Sequence, residues 1–430
     1  MRFFSPSITS LPTSQTLGAR APVVSFGLCK AVLAFTNFNF NYGRRFLSIT
    51  LILLSLIFSQ NKSWASSPLT DDRSEVAMIQ KVLRDYIDGT AYNSRQQVAK
   101  AFHPSSDLLL EKEGQTFNKV TLNEYLAWYK PENQGKFNGR VGEILQIDIK
   151  DKLATAKAEI IVPNKKTRFI DVFLLKKIDG QWQIISKAAT QQASQQNAVR
   201  ILFIVSNAHF HGKSKLPAGA SFSEIVNAYH TFKHAGYTVD FVSPEGGAVP
   251  LAYIDTSEPL YKHYLYDSEF MFALKNTKTP TQLQAKDYRA VHYIGGSSAM
   301  YGVPENKEIA QLVMEIYEQY GGIISSVCHG TAGIVHLKTK DGKYLVDGKR
   351  ISGYPEDFEK PNAEYFKQFP FLIKQTVLQH RGSFHFGKPN EAYVEVDGRV
   401  ITGQNYQSSE FVAKEIIKQL MKEKDTHNAQ

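Results

Sequence analysis

The segment that most constrains this chain is Gly321-Gly322-Ile323-Ile324-Ser325-Ser326-Val327-Cys328-His329-Gly330-Thr331-Ala332-Gly333, where a β-branched run stops abruptly and gives way to small residues. The pattern predicts a strand, a sharp turn and a helix. A cysteine at such a turn points its sulfur away from the sheet. There it meets free N–H groups and the positive dipole end of the next helix, which favour thiolate over thiol. His329 next door can supply or receive a proton. A lone cysteine more often packs as a small hydrophobe, but the flanking glycines and the adjacent histidine weigh toward chemistry.

The chain around this segment alternates. Val199 to Ser206 is a continuous apolar strand, Phe222 to Ala235 a helix, Tyr237 to Ser243 a strand, Ala290 to Ile294 a third strand and Lys307 to Tyr320 a helix. Such alternation predicts a parallel sheet covered on both faces, with ligands beyond the carboxyl ends of the strands, where Cys328 falls. The stretch Leu251 to Lys286 fits neither pattern and is expected to form an insertion or lid over that edge.

The preceding region reads differently. Val76, Ile79, Val82, Leu83, Tyr86 and Ile87 recur at helical spacing. From Val141 the period becomes two, through Val141 to Lys150, Leu153 to Val162 and Arg168 to Ile178, with Asp179-Gly180 turning into Gln181 to Ile185. Helices followed by an antiparallel meander predict an α+β domain over residues 70–190, and the polar stretch 191–197 reads as a linker to a second domain at 198–424.

The net charge of +9 reflects the leader. Residues 1–65 carry six basic residues and no acidic one; without them 44 basic residues face 41 acidic ones, which gives nucleic-acid binding no support. Arg44-Arg45, the apolar run Phe46 to Phe58 and Ser63-Trp64-Ala65 form a secretory-signal layout with cleavage near Ala65. The run is shorter than the roughly 20 residues that span a bilayer as a helix. A periplasmic or secreted protein is expected. Residues 1–42 fit an extended n-region, an organellar transit segment or an early start codon alike. Cleavage removes Cys29 and leaves Cys328 as the sole cysteine, so no intramolecular disulfide forms.

Residues 198–422 resemble the ThiJ/PfpI superfamily, the class I glutamine amidotransferase-like fold, and especially its branch of heat-inducible chaperones and glutathione-independent glyoxalases. The resemblance rests on Val327-Cys328-His329-Gly330, Gly219 to Glu224, Ala235 to Pro244, Ile294-Gly295-Gly296, Ile351 to Tyr354, Pro370-Phe371-Leu372 and Asp397 to Asn405, in that family's order. It implies a flavodoxin-like parallel sheet with Cys328 as nucleophile, His329 as acid/base and Glu224 approaching the sulfur. It further implies Glu359, or else Glu356, as the group orienting His329, and oxyanion donors at the backbone of Gly295 and Gly296. Thiol and carboxyl held together titrate as a coupled pair that shares a proton. Many relatives place His-Gly where this chain has Ser297-Ser298, which bears on substrate preference.

Residues 72–188 resemble the nuclear transport factor 2-like superfamily, notably its lumazine-binding members, through Tyr86-Ile87-Asp88-Gly89, Ala101-Phe102-His103-Pro104 and Asp171 to Lys187. This implies a cone-shaped α+β fold with an apolar pocket, where Asp171 or His103 stands as a candidate acid or base beside a more common structural role. Both resemblances imply a homodimer.

The resulting expectation is an exported cysteine enzyme that converts a 2-oxoaldehyde such as methylglyoxal to a 2-hydroxy acid without metal or organic cofactor. Two other readings stay open: an amidase or peptidase using the same elbow, and a non-catalytic periplasmic chaperone or ligand-binding protein. His209 and His211 could join His230 or His234 around a metal ion, but scattered histidines without ligand spacing are usually loop or packing residues, so none is expected.

Overall fold

The computed structural model describes residues 70–112 and 115–428. The leader, with its signal and cleavage pattern, lies outside them. Among the described residues no helix is long and apolar enough to cross a membrane.

Helix α1 (Thr70–Ala91) and α2 (Arg95–Ala101) open the first domain, as the helical spacing predicts. Strands β1 (Phe102–Lys112) and β2 (Gln115–Thr121) come next, then the short α3 (Leu122–Leu126), β3 (Val141–Lys150), β4 (Leu153–Val162), β5 (Thr167–Ile178) and β6 (Gln181–Ala193). The six strands form one sheet in the order β2-β1-β6-β5-β4-β3. Strand β1 was not legible because its pairing with β6 is broken by a bulge between Phe102 and Asp107, and Pro104 and the serines interrupt any alternation. Ile79, Leu83 and Tyr86 of α1 pack with Phe173 and Leu175 of β5 and Ile184 of β6 into one core.

The supposed linker is partly strand: Gln191, Gln192 and Ala193 pair with Phe169, Arg168 and Thr167. The Arg168 guanidinium donates to Gln192 Oε1 at 2.9 Å, so a long β5 recruits residues whose own composition gives no strand signal.

The second domain is an α/β layer structure. Its strands are β7 (Arg200–Ile204), β8 (Ala220–Ser221), β9 (Thr238–Val242), β10 (Leu251–Ala252), β11 (Tyr288–Tyr293), β12 (Ile323–Val327), β13 (Arg350–Ile351), β14 (Ser383–Phe384), β15 (Val394–Asp397) and β16 (Val400–Gly403). The helices are α4 (Phe222–His234), α5 (Pro259–Leu265), α6 (Ser268–Lys275), α7 (Lys307–Glu318), α8 (Ile373–Gln379) and α9 (Ser409–Asn428). The main sheet runs β15-β16-β12-β11-β7-β9, parallel except for the edge pair β15 and β16. Strand β7 shows why its sequence is continuously apolar: Leu202 and Ile204 enter one core, Ile201 and Phe203 the other.

The insertion is a bridge rather than a lid. Helix α6 packs on the first domain, with Lys157 Nζ 2.7 Å from Glu269 Oε1 and Phe272 against the first core. A charge network joins the same boundary: Arg200 lies 2.7 Å from Glu143 and 2.8 Å from Asp240, and Lys278 lies 2.7 Å from Asp240. A cleft of about 1240 Å³ opens there, lined by Arg73, Glu143, Arg200, Asp240 and Lys278 among others. None of Cys328, His329, Glu224 or Glu359 lines it.

Candidate active site

Strand β12 delivers Cys328 to the carboxyl edge of the sheet, where the residue adopts φ +54. A non-glycine residue held in this left-handed region is strained, and the surroundings must enforce it. They do so by contact: a Cβ on Gly330 would lie 2.4 Å from the Tyr293 carbonyl oxygen, and one on Gly333 would lie 2.3 Å from the Tyr293 ring. The elbow thus presses directly on β11. Tyr354 N–H donates to the Cys328 carbonyl at 3.2 Å, and the Ser326 and Thr331 hydroxyls, 2.8 Å apart, tie the two sides of the turn.

The helix expected after the turn is not present. Residues Cys328–Gly333 form a short 3₁₀ segment instead, so the sulfur has no long helix dipole behind it. Nor does the site favour thiolate: burial and the neighbouring Glu224 carboxyl push the Cys328 thiol well up, against a smaller opposing pull from the main-chain N–H groups of His329 and Gly296.

Glu224 sits in the first turn of α4 and is 2% exposed. The Gly295 N–H donates to its Oε2 at 2.8 Å. Burial raises its pKa to about 8, although the Gly295 amide, the Cys328 thiol and the Ser221 hydroxyl each lower it by hydrogen bonding to it. At neutral pH the pair therefore holds both protons, and its first ionisation falls near the physiological range.

This geometry corrects the role expected of Gly295. Its N–H is committed to Glu224 and is not free for an oxyanion. The glycine is required all the same, since a Cβ there would lie 2.6 Å from Glu224 Oε2 and 2.8 Å from the Cys328 Cβ. Gly296, at φ +92, packs so closely that a Cβ would lie 2.4 Å from the Ser221 nitrogen, and its amide faces the sulfur. Ser297 Oγ accepts from Gly219 N–H at 3.3 Å, whereas the buried Ser298 Oγ has no partner among the described residues.

His329 Nδ1 stands 3.6 Å from Cys328 Sγ, and its Nε2 stands 2.7 Å from Glu359 Oε1. The Tyr365 hydroxyl donates to Glu359 Oε2 at 2.9 Å. Glu356 is elsewhere occupied: its carboxylate accepts from the Lys374 and Gln375 amides at 3.2 and 3.1 Å, capping α8, which has no side-chain cap of its own. Cys328, Glu224, His329 and Glu359 are thus brought together and Glu356 is not.

The structure adds neighbours of His329 to which the sequence assigned no role. Tyr354 lies 4.8 Å from the His329 ring between centroids and Phe369 lies 5.5 Å from it. Tyr253, the first residue after β10, adopts φ +57 at an exposed position. Although the residue as a whole is exposed, partial desolvation and then the nearby Cys328 and Glu224 raise its phenol to about 12. His211 packs with Tyr301, Tyr365 and Phe369, while His230 packs with His234 and Tyr264, so the histidines fall in separate clusters. Among the described residues no group of His, Cys, Asp or Glu is arranged to hold a metal ion. In the first domain, Asp171 pairs with Tyr86 and Lys187, while His103 Nδ1 accepts from the nearby Ser105 N–H at 3.2 Å.

Comparison with known proteins divides the chain at the same place. Residues 216–419 match the DJ-1/PfpI family and residues 74–188 match a family described as "Putative lumazine-binding". The "Probable glutathione-independent glyoxalase HSP32" of Saccharomyces cerevisiae is 28% identical over 222 residues, 48% of this chain and 92% of the relative. "Glyoxalase 3" of Candida albicans is 26% identical over 223 residues, 49% of this chain and 93% of the relative. A crystal structure of glyoxalase III from Candida albicans aligns with TM-score 0.48 at 25% identity, covering 52% of this chain and 98% of that one.

Proposed function

The C-terminal domain belongs to the DJ-1/PfpI family, and from that premise we propose that this protein is a glutathione-independent glyoxalase that converts 2-oxoaldehydes such as methylglyoxal to 2-hydroxy acids. The observation that carries the reading is the buried Glu224 carboxyl, held beside Cys328 across Gly295 and anchored by the Gly295 amide at 2.8 Å. A carboxyl whose pKa lies near the working pH both gives and takes a proton readily.

In this reading the Cys328 sulfur adds to the aldehyde carbon and its proton passes to His329, which Glu359 orients. The alkoxide takes a proton and a hemithioacetal results. Ionised Glu224 removes the C1 proton to form an enediol and returns a proton to C2, leaving a thioester of the 2-hydroxy acid. Water cleaves that thioester and regenerates the thiol, so atoms and electrons balance without an external redox partner. Hydrolysis of an amide makes heavier demands on free oxyanion donors, and the Gly295 amide is spent on Glu224, which weighs against that alternative. The leader supports export to the periplasm or beyond as part of the same proposal.

The test is methylglyoxal consumption by the full-length protein beside its Cys328→Ala variant, with the stereochemistry of the lactate determined. Turnover that disappears in the variant supports the reading; turnover that persists, or is absent from both, removes it.

A further inference from the structure

A second buried polar cluster lies in the first domain, in no contact with the chemistry above. Tyr86 of α1, Tyr125 of α3, Arg140 ahead of β3, Asp171 of β5 and Lys187 of β6 converge there with Tyr129. Tyr86 is 0% exposed, Asp171 1%, Lys187 4% and Tyr125 5%. Asp171 pairs across the sheet with Ala189, and Lys187 with Phe173. Both side chains therefore stand on the face that Phe173 and Tyr86 bury, their rings 5.2 Å apart. The interior expected to be apolar is charged at this point.

Counting the charged groups gives an imbalance. Asp171 is the one carboxylate in the cluster: the Tyr86 hydroxyl donates to its Oδ2 at 2.6 Å, and Lys187 Nζ stands 3.0 Å from its Oδ1, which has no hydrogen-bond partner among the described residues. The Tyr125 and Tyr129 hydroxyls share one hydrogen bond at 2.8 Å, which leaves one phenol hydrogen without an acceptor. The Lys187 ammonium also lies over the rings of Tyr86 and Tyr125, at 5.4 and 5.9 Å. Arg140 lies over the Phe169 ring at 5.1 Å, and its buried Nε has no hydrogen-bond partner among the described residues. Two cations therefore face one carboxylate, and the cluster carries one positive charge in excess. Burying a cation without a partner is costly, so the cluster is complementary to something anionic that brings oxygen acceptors.

We propose that this cluster is the recognition end of a binding site for a small organic carboxylate. Arg140 and Lys187 take the charge, the free phenol hydrogen of Tyr125 or Tyr129 reaches an oxygen, and the rings of Tyr86, Tyr125 and Phe169 flank the body of the ligand. The inference stands apart from the Cys328 chemistry and does not depend on it. An inorganic oxyanion shares the charge but lacks a body for the rings to flank.

Full-length protein is titrated with benzoate, with benzamide and with inorganic phosphate, by calorimetry and by thermal unfolding. Benzoate is expected to bind saturably and raise Tm, with benzamide, of equal shape and no charge, at least about tenfold weaker. Arg140→Met is expected to lose benzoate affinity by about tenfold or more, and Arg140→Lys to lose less. The ligand-free Tm of Arg140→Met should equal or exceed that of the wild type, because a cation with no carboxylate of its own and an unpartnered buried Nε has been removed. A lower ligand-free Tm in Arg140→Met would make Arg140 part of a self-sufficient structural network and overturn the proposal. So would the absence of saturable benzoate binding, or phosphate binding in its place.

Discussion

The Gly295 N–H donates to Glu224 Oε2 at 2.8 Å, and the same glycine leaves room for the Cys328 Cβ, so one residue without a side chain positions both reacting groups. Gly295→Ala would force a methyl group to within 2.6 Å of the carboxylate oxygen and 2.8 Å of the Cys328 Cβ. Turnover of methylglyoxal is expected to fall by about 100-fold, the scale of a small misplacement of reacting groups. Steady-state kinetics on the variant decide it, and a loss confined to KM would contradict the positioning argument.

Glu224→Gln keeps the shape and the hydrogen bond from Gly295 but can no longer take a proton. Its kcat is expected to drop by at least about 100-fold, the usual worth of a general base. The fold should survive, since the wild-type carboxyl is itself neutral over most of the physiological range. Unaltered circular dichroism with lost turnover is the expected pair of results; retained turnover would move the proton transfer to another group.

The raised pKa of Glu224 also bears on stability. A carboxyl that titrates near 4.5 when unfolded and at about 8 when folded holds its proton longer in the native state. The native state is therefore favoured fully below the unfolded value and loses this contribution as pH rises from there to the folded value. Thermal unfolding of wild type and Glu224→Gln at pH 5 and pH 8 checks it: the Tm of the wild type should fall relative to that of the variant between the two. Parallel behaviour would place the group's folded pKa near its ordinary value.

Glu359 and Glu356 should separate cleanly. Glu359→Gln weakens the orientation of His329 and is expected to lower kcat by about tenfold or more with little change in Tm. Glu356→Ala removes the acceptor for the Lys374 and Gln375 amides and should cost about 1 kcal/mol, the size of a lost helix cap, with kcat preserved. Denaturant unfolding beside kinetics on both variants distinguishes the two roles. Tyr365→Phe, which loses the 2.9 Å hydrogen bond to Glu359, should resemble a weaker Glu359→Gln.

Strands β7, β9, β11 and β12 of the parallel sheet were legible because their runs are largely apolar on both faces, and β3 and β4 because a half-buried strand alternates; β16 was not read as a strand. The elbow was legible at Cys328 because only small residues can succeed so sharp a turn. Strand β1 and the end of β6 were not, since a bulge and a polar run hide strands whose stability comes from their neighbours. In the candidate site, Cys328 and His329 were legible from the local pattern at the elbow, whereas Glu224 and Glu359 were legible only through a resemblance in motif order.

By itself the sequence determined where most strands and helices lie, which cysteine stands at the turn and how the charge divides between leader and remainder. These depend on neighbours a few residues away. Only the tertiary structure decided that the Gly295 amide serves Glu224, that burial raises both the thiol and the carboxyl, and that Glu359 rather than Glu356 meets His329. Desolvation and hydrogen-bond partnership depend on groups distant in the chain, and those groups meet only when the sheet and helices pack.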